Sequence, residues 1–270
     1  MKNQRKGPMT EENRPLKVSI GYASFTAGGG ECEDGEKTEQ PCGDTAVSCY
    51  LPGGSRAVIL SDGMGHGMAA AAESRTAANI LRRLLKQGMP VTRAIHEVNR
   101  RLMKEEKETF VTLDLMILDP VAGRARFYKL AAAPSYVLRD GQLRKVEQPA
   151  LPVGILPTLQ LTHVSARLSA GAVIIMMSDG ICDSGRKRGL QEEGTWKGEV
   201  PAGTEAGAEA GEERETDWVK IYIKSLLDDA TGGGRRPGPR QLAFQLLEEA
   251  RRRYGDDETD DATVVAVMIK

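Results

Sequence analysis

The stretch VILSDGMGHG, residues 58–67, is an apolar run that ends in Ser-Asp-Gly, and two later stretches have related patterns. IIMMSDGI, residues 174–181, ends in the same way, and TDDATVVAVMI, residues 259–269, opens an apolar run with two aspartates. Short apolar runs bounded by such residues are typical of buried strands. The three patterns therefore predict that Asp62, Asp179 and Asp260 meet at one end of a sheet.

Carboxylates gathered in this way indicate a metal site, because they raise one another's pKa unless a cation lies among them. Asp oxygens suit hard cations such as Mg²⁺ or Mn²⁺, and the motifs offer no cluster of His or Cys ligands for zinc. Gly63 and Gly180 leave room for close approach, and the Gly63 carbonyl could itself reach a metal. For one Asp-Gly alone, an ordinary turn is the simpler interpretation. The hypothesis depends on the three aspartates together.

The composition excludes several classes of protein. The 270 residues carry a formal net charge of -1 and are 40% apolar, which permits a substantial core and gives no electrostatic case for nucleic acid binding. The four cysteines lack C-x-x-C spacing, so we expect reduced thiols rather than a zinc cluster or disulfides. No apolar run approaches the 18 or more residues of a membrane helix. We therefore expect a cytoplasmic chain without membrane contact of its own.

The order of the elements predicts an α+β sandwich. Residues 1–16 are expected to be a disordered leader, and 17–270 one domain, interrupted by an acidic, Gly-rich insertion at about 185–217. That insertion is either a solvated loop or a flap beside the active-site cleft. Strands and helices occur in blocks rather than in βαβ alternation. Strand patterns cover 18–22, 45–51, 56–60, 111–118, 125–130, 135–140 and 142–147, and helical patterns cover 68–87, 91–106, 218–229 and 239–254.

Taken in order, the three aspartate motifs resemble those of the PPM-type metal-dependent serine/threonine protein phosphatases. Within that group they resemble the phosphatase domain of the stage II sporulation protein E (SpoIIE) family. The segments CGDT at 42–45, LDL at 113–115 and LPVGI at 151–155 extend the likeness over residues 40–270. It implies a four-layer αββα sandwich of two mainly antiparallel sheets flanked by helices. It also implies hydrolysis of phosphoserine or phosphothreonine by a two-metal mechanism, without a protein nucleophile.

The resemblance gives the aspartates separate roles. Asp62 would bridge two Mn²⁺ or Mg²⁺ ions, with the Gly63 carbonyl on one of them, and Asp179 and Asp260 would complete the ligands of the other. Asp261 would orient Asp260, and Asp44 is a weaker ligand candidate or a plain turn residue.

The proton donor and the phosphate-binding residue stay open. Many eukaryotic relatives have Asp-Gly-His-Gly, whereas Met64 replaces that histidine here and His66 follows two residues later. His66 is either an exposed loop residue or a proton donor. Arg56, Lys129 and Arg139 are equal candidates for the phosphate.

The two helices after the first motif have two interpretations. Their alanines, Ala69, Ala70, Ala72 and Ala77, either form a close-packing face or belong to a regulatory switch that moves Asp62, as the resemblance implies. The expected switch residues, which also serve a homodimer through these helices, are Met68, Ala72, Ala77, Ile95 and Val98.

The expected substrate is a phosphorylated anti-sigma-factor antagonist, whose dephosphorylation activates a sporulation sigma factor. Full-length family members carry membrane-spanning and regulatory parts, so the chain is either a cytoplasmic relative or the cytoplasmic domain of a membrane-anchored parent. The alternative is a catalytically silent module that binds the phosphoprotein or its regulator. The retention of costly clustered carboxylates favours the enzyme.

Overall fold

The computed structural model of the chain describes residues 15–27, 41–65, 67–104, 109–184, 217–228, 236–255 and 260–270. These residues form two five-stranded antiparallel sheets with helices on the two outer faces. The strands are β1 (Val18–Phe25), β2 (Asp44–Tyr50), β3 (Arg56–Gly63), β4 (Val111–Asp119), β5 (Arg124–Leu130), β6 (Ser135–Arg139), β7 (Gln142–Val146), β8 (Val164–Arg167), β9 (Val173–Met177) and β10 (Ala262–Ile269). The helices are α1 (Gly67–Lys86), α2 (Val91–Leu102), α3 (Asp179–Asp183), α4 (Asp217–Asp228) and α5 (Pro239–Tyr254).

Neither sheet is built from one continuous segment of the chain. Sheet I has the strand order β2-β3-β4-β5-β8, and sheet II has the order β1-β10-β9-β6-β7. The first and last strands are neighbours, paired from Val18 opposite Ile269 to Phe25 opposite Ala262. Sheet II is therefore complete only when segments from both ends of the chain have come together.

Three apolar cores separate four layers. Alternate residues of a strand point to opposite faces, so Val58 and Leu60 of β3 lie between the sheets, whereas Ile59 packs under α1 and α2. On the other side, Met177 and its alternate neighbours in β9 pack against α4 and α5. This arrangement confirms the predicted α+β sandwich with helices outside two antiparallel sheets.

Several predicted boundaries were wrong. Strand β3 continues through Ser-Asp-Gly instead of ending before it, because Asp62 pairs with both Asp44 of β2 and Thr112 of β4. The prediction for the second helix extended too far, since α2 ends at Leu102. The short elements β8 and α3 were missed.

Some predictions fall on residues that the structure does not describe. These include residues 1–14 of the predicted leader and 185–216 of the predicted insertion. Among the described helices, none combines the length and the apolar character needed to cross a membrane.

Candidate metal centre

Asp62 is held near the end of β3, on the side that faces sheet II. It has the same orientation as Val58 and Leu60, since it lies four and two residues further along the strand, respectively. The next residue must be glycine, because a Cβ atom on Gly63 would lie 2.1 Å from the carbonyl oxygen of Ala70 in α1. Close contact between β3 and α1 therefore fixes the position of Asp62.

Asp179 and Asp260 come together because β9 and β10 are antiparallel neighbours. Val264 lies opposite Met177, so the end of β9 and the start of β10 are at the same edge. The Ser178 amide donates to the Thr263 carbonyl at 3.0 Å, which continues the pairing with β10 beyond the end of β9. The residues that follow β9 and precede β10 are therefore neighbours in space.

One cavity of about 290 Å³ collects the three predicted aspartates between the ends of the two sheets. Asp62 and Gly63 come from sheet I, and Asp179 and Asp260 from the edge of sheet II. A larger cavity of about 750 Å³ between β1 and α5 contains none of these aspartates. The described residues that line the carboxylate cavity are Asp62, Gly63, Met64, Gly65, Phe110, Thr112, Pro152, Asp179 and Asp260.

The carboxylates oppose one another's ionisation. Burial raises the pKa of Asp62, and Asp44, Asp179 and Asp260 raise it further, with a hydrogen bond to the Asp179 carboxyl as an additional cause. Burial and the charge of Asp179 raise the pKa of Asp260 to about 6. The negative charges of Asp62 and Asp260 are thus unfavourable in this cavity, and a cation would relieve the repulsion.

Asp44 joins this group as a buried neighbour. It lies directly opposite Asp62 in the β2–β3 pair and is only 9% exposed. Burial raises its pKa, although the side chains of Ser178 and Thr263 act in the opposite direction. Neither of its carboxylate oxygens has a geometrically good hydrogen-bond partner among the described residues. Asp44 is not among the residues that line the cavity. It contributes negative charge from beside it.

Asp261 holds two loops through its carboxylate. Its two carboxylate oxygens accept hydrogen bonds from the Ala27 amide at 2.7 Å and the Gly43 amide at 2.6 Å. Its own amide donates to Asp260 Oδ1 at 2.9 Å. The side chain thus ties two loops to the start of β10, while the backbone fixes the carboxylate of Asp260.

The donor set fits a hard divalent cation in its chemistry. Three carboxylates and the backbone of Gly63 offer oxygen atoms alone, and the orphaned oxygens of Asp44 lie nearby. In the described part of the chain, however, no three acidic, His or Cys side chains already converge as a closed metal-binding group. One oxygen of Asp179 accepts from the Gly180 amide, and one of Asp260 accepts from the Asp261 amide. Small rotations of these carboxylates would accompany binding.

The cationic residues considered for phosphate binding lie elsewhere. Arg56 is at the opposite end of β3 and stacks on Tyr50, and Arg139 is in the β6–β7 hairpin. Lys129 is fully buried. The described lining of the cavity contains no Arg, Lys or His, and His66 is outside the described residues.

Lys129 instead belongs to a polar tie between the sheets. Its Nζ atom lies 2.5 Å from Asp114 Oδ2 and 2.9 Å from Ser135 Oγ, and Ser135 donates to the same Asp114 oxygen at 2.8 Å. Asp114 and Lys129 are on sheet I, whereas Ser135 is on sheet II. Asp114 follows Thr112 by two residues on the same face of β4, so the tie lies next to the cavity, between the two sheets.

Sequence reasoning did not identify Phe110, Thr112 and Pro152 as lining residues. Pro152 reaches the cavity because Val153 forms a bridge with Val111 of β4. The buried Asn99 of α2 holds the same loop. Its amide nitrogen donates to the Leu156 carbonyl and its oxygen accepts from the Gly154 amide, both at 2.8 Å. The motif at residues 151–155 marked this loop in the sequence, but no sequence pattern indicated that Asn99 of α2 holds it.

The predicted switch residues divide between two environments. Ala77, Ile95 and Val98 are fully buried against sheet I, whereas Met68 is 75% exposed. Ala70 is buried, but Ala69 and Ala72 are exposed, so the four alanines do not form one packing face. Helix α1 therefore has a packed side and a free side.

Comparison with known proteins gives a consistent family relation. The family model described as stage II sporulation protein E (SpoIIE) matches residues 52–270. Stage II sporulation protein E of Bacillus subtilis (strain 168) is 30% identical over 257 residues, which cover 95% of this chain and 26% of the relative. The protein of the same name from Priestia megaterium is 32% identical over 254 residues, which cover 94% and 36% of the two chains. This chain therefore spans well under half of the length of these relatives.

Solved structures share the fold. A structure of the PP2C phosphatase domain and a fragment of the regulatory domain of SpoIIE from Bacillus subtilis has a TM-score of 0.70 and 28% identity, and the match covers 95% of this chain and 64% of that one. The catalytic domain of the serine/threonine phosphatase PstP, in complex with two manganese ions, has a TM-score of 0.61 and 17% identity, with 94% and 99% covered. The second likeness concerns the fold alone.

Proposed function

This chain belongs to the stage II sporulation protein E family, and on that premise we propose that it hydrolyses phosphoserine or phosphothreonine in a protein substrate with Mn²⁺ or Mg²⁺ as cofactor. It is homologous to the PP2C serine/threonine phosphatases, which are metal-dependent hydrolases. The observation that supports the activity most strongly is the cavity in which Asp62 of sheet I faces Asp179 and Asp260 of sheet II.

The proposed ligands are the three aspartates that line the cavity, together with the backbone of Gly63. Asp62 would bridge two cations, the Gly63 carbonyl would contact one, and Asp179 and Asp260 would contact the other. Bound divalent cations supply a water of lowered pKa and neutralise charge on the phosphoryl group. The chain itself contributes the placement of the carboxylates, since each one lies on or next to a strand, β3, β9 or β10, that fixes its position.

The walls of the cavity would direct the substrate. Met64, Phe110 and Pro152 offer an apolar rim beside the aspartates, and Met64 is 58% exposed. Such a rim can contact the peptide around a phosphoserine while the phosphate faces the carboxylate end. We expect Asp261 to act by orienting Asp260 and Asp44 to act through its charge.

The proposed substrate is a phosphorylated anti-sigma-factor antagonist, and its dephosphorylation would activate a sporulation sigma factor. The family relation to stage II sporulation protein E supports this choice. The free side of α1, which includes Met68 and Ala72, is the surface proposed for a homodimer through the switch helices.

A phosphatase assay with a matched control tests the proposal. The chain is incubated with the serine-phosphorylated antagonist and Mn²⁺, with Mn²⁺ plus excess chelator, and as the variants Asp62→Asn and Asp140→Asn. Asp140 is a good control because it lies in the remote β6–β7 turn, its side chain is 70% exposed in its ion pair with Arg139, and Asn also tolerates its φ of 52°.

Phosphate release should require Mn²⁺, should fall at least about 100-fold in Asp62→Asn, and should be unchanged in Asp140→Asn. Activity that persists in chelator, or in Asp62→Asn, would contradict the metal mechanism. Tight binding of the phosphoprotein without any phosphate release would instead favour the catalytically silent module.

A further inference from the structure

The last residue of α5 is hydrogen bonded to the segment that carries Asp179. The Tyr254 hydroxyl donates to the carbonyl oxygen of Gly180 at 2.6 Å, across 74 positions of the chain. The Tyr254 ring is itself held in place, because it packs edge-on against the buried Phe25, with 6.0 Å between ring centroids and an interplanar angle of 87°. The contact with Phe25 therefore helps to orient the ring whose hydroxyl reaches Gly180.

Gly180 transmits this contact to Asp179. Its amide donates to Asp179 Oδ1 at 3.0 Å, while its carbonyl accepts from Tyr254. Both backbone polar groups of Gly180 are thus hydrogen bonded. The bond from its amide orients the Asp179 carboxylate, and the bond to its carbonyl holds the backbone of Gly180 in place. Loss of the Tyr254 hydroxyl would release one of these two restraints.

The same glycine also lies against the segment that carries Asp260. A Cβ atom on Gly180 would be 2.1 Å from the carbonyl oxygen of Asp261 and 3.3 Å from the Cβ atom of Ala262. Asp261 in turn donates its amide to Asp260 Oδ1. The residue that accepts the Tyr254 hydrogen bond therefore lies where the two backbone segments that carry Asp179 and Asp260 are in close contact.

We propose that Tyr254 is a positioning residue that holds Gly180 so that Asp179 and Asp260 are set at the spacing required for a divalent cation. This inference rests on the proposed metal-dependent function. Tyr254 is not among the described residues that line the cavity, so it acts through Gly180 rather than on the substrate.

The hydroxyl is the part of Tyr254 that matters for this role. Packing against Phe25 requires only the ring, which Phe would keep. Burial and the neighbouring charges of Asp260, Asp183 and Asp179 raise the pKa of Tyr254, so the hydroxyl remains a donor at neutral pH. Substitution of Tyr254 by Phe therefore removes the restraint on Gly180 with little other change.

The test compares Tyr254→Phe with Tyr50→Phe in the 270-residue chain. Tyr50 is 71% exposed at the far end of β2, so its variant controls for the loss of a hydroxyl away from the cavity. Mn²⁺ binding is measured by isothermal titration calorimetry without substrate, and thermal unfolding is measured with chelator and with Mn²⁺. Dephosphorylation is then followed as a function of Mn²⁺ concentration.

We expect Tyr254→Phe to bind Mn²⁺ about 3- to 10-fold more weakly, in line with the loss of one supporting hydrogen bond. Its maximal rate at saturating Mn²⁺ should stay close to that of the wild type, and Tyr50→Phe should match the wild type in every measurement. A lower unfolding temperature in chelator combined with wild-type Mn²⁺ affinity would overturn the inference, because the residue would then be only structural.

Failure of the inference can be distinguished from failure of the proposed function. Equal Mn²⁺ affinity of the wild type and Tyr254→Phe contradicts the positioning role alone. A wild-type chain that binds no Mn²⁺ in the calorimeter contradicts the metal centre, and the positioning role with it.

Discussion

Replacement of Asp62 by Asn is expected to stabilise the metal-free chain, although it removes a proposed metal ligand. Burial and the charges of Asp44, Asp179 and Asp260 raise the pKa of Asp62 above its usual 3.8. A carboxyl with a raised folded-state pKa contributes stability that is fully present below 3.8 and is lost as the pH rises through the raised value. The wild-type chain in chelator should therefore lose stability from pH 5 to pH 8. Asn does not ionise, so the variant should lose less.

The magnitude follows from the pH interval. Each pH unit over which the folded chain alone retains the proton costs about 1.36 kcal/mol, so the interval from pH 5 to pH 8, which lies below the raised value of about 9, gives a ceiling of about 4 kcal/mol. Asp62 lies in the wall of a cavity that water can enter, which reduces the expected effect to about 1–2 kcal/mol. For a domain of this size, this corresponds to a rise of about 2–8 °C in the unfolding temperature.

Thermal unfolding measured by circular dichroism gives the required comparison. Wild type, Asp62→Asn and the surface control Asp140→Asn are unfolded in chelator at pH 5 and pH 8, and again at pH 8 with Mn²⁺. Asp62→Asn should be the most stable in chelator at pH 8, and the wild type should gain most from Mn²⁺. The reasoning is refuted if Asp62→Asn is less stable than the wild type in chelator at pH 8, or if the wild type is equally stable at both pH values.

Three further changes test other parts of the structure. Gly63→Ala places a Cβ atom 2.1 Å from the Ala70 carbonyl oxygen, so chemical denaturation should show a loss of about 1–3 kcal/mol, together with weaker Mn²⁺ binding in calorimetry. Lys129→Met leaves Asp114 buried without its counter-charge and should cost about 3–5 kcal/mol of unfolding free energy, whereas Ser135→Ala should cost about 1–2 kcal/mol in the same experiment. Asn99→Ala removes both hydrogen bonds to the loop of Pro152, so phosphatase assays should show a roughly tenfold lower kcat/KM with unchanged Mn²⁺ affinity.

The meeting of Asp62, Asp179 and Asp260 was predictable because each adjoins or ends an apolar strand. Sequence patterns identify the ends of strands well, and the antiparallel pairing of β9 with β10 makes two of these ends neighbours. The α+β class was also predictable, since the helices occur in blocks between the strands, whereas the four-layer order was implied by the family resemblance. The roles of the aspartates as ligands remain predictions.

The contacts between distant segments were not predictable from local patterns. Lys129 could not be separated from Arg56 and Arg139, because its burial depends on Asp114 and on Ser135 from the opposite sheet. Tyr254 had the appearance of an ordinary final residue of an amphipathic helix, and its partner Gly180 is far away in the sequence. Short elements such as β8 were missed because four alternating residues carry too little periodicity.

The position of β10 between β1 and β9 has a consequence for synthesis on the ribosome. Strand β10 is the last described strand to emerge, yet it is the one that joins β1 to the rest of sheet II. Until it emerges, β1 lacks its pairing partner, one edge of β9 is open and Asp260 is absent from the cavity. A nascent chain can thus bury sheet I under α1 and α2 early, but it acquires the complete set of carboxylates only in the final step of folding. On the proposed mechanism, the metal centre therefore cannot assemble before residues 260–269 have been made.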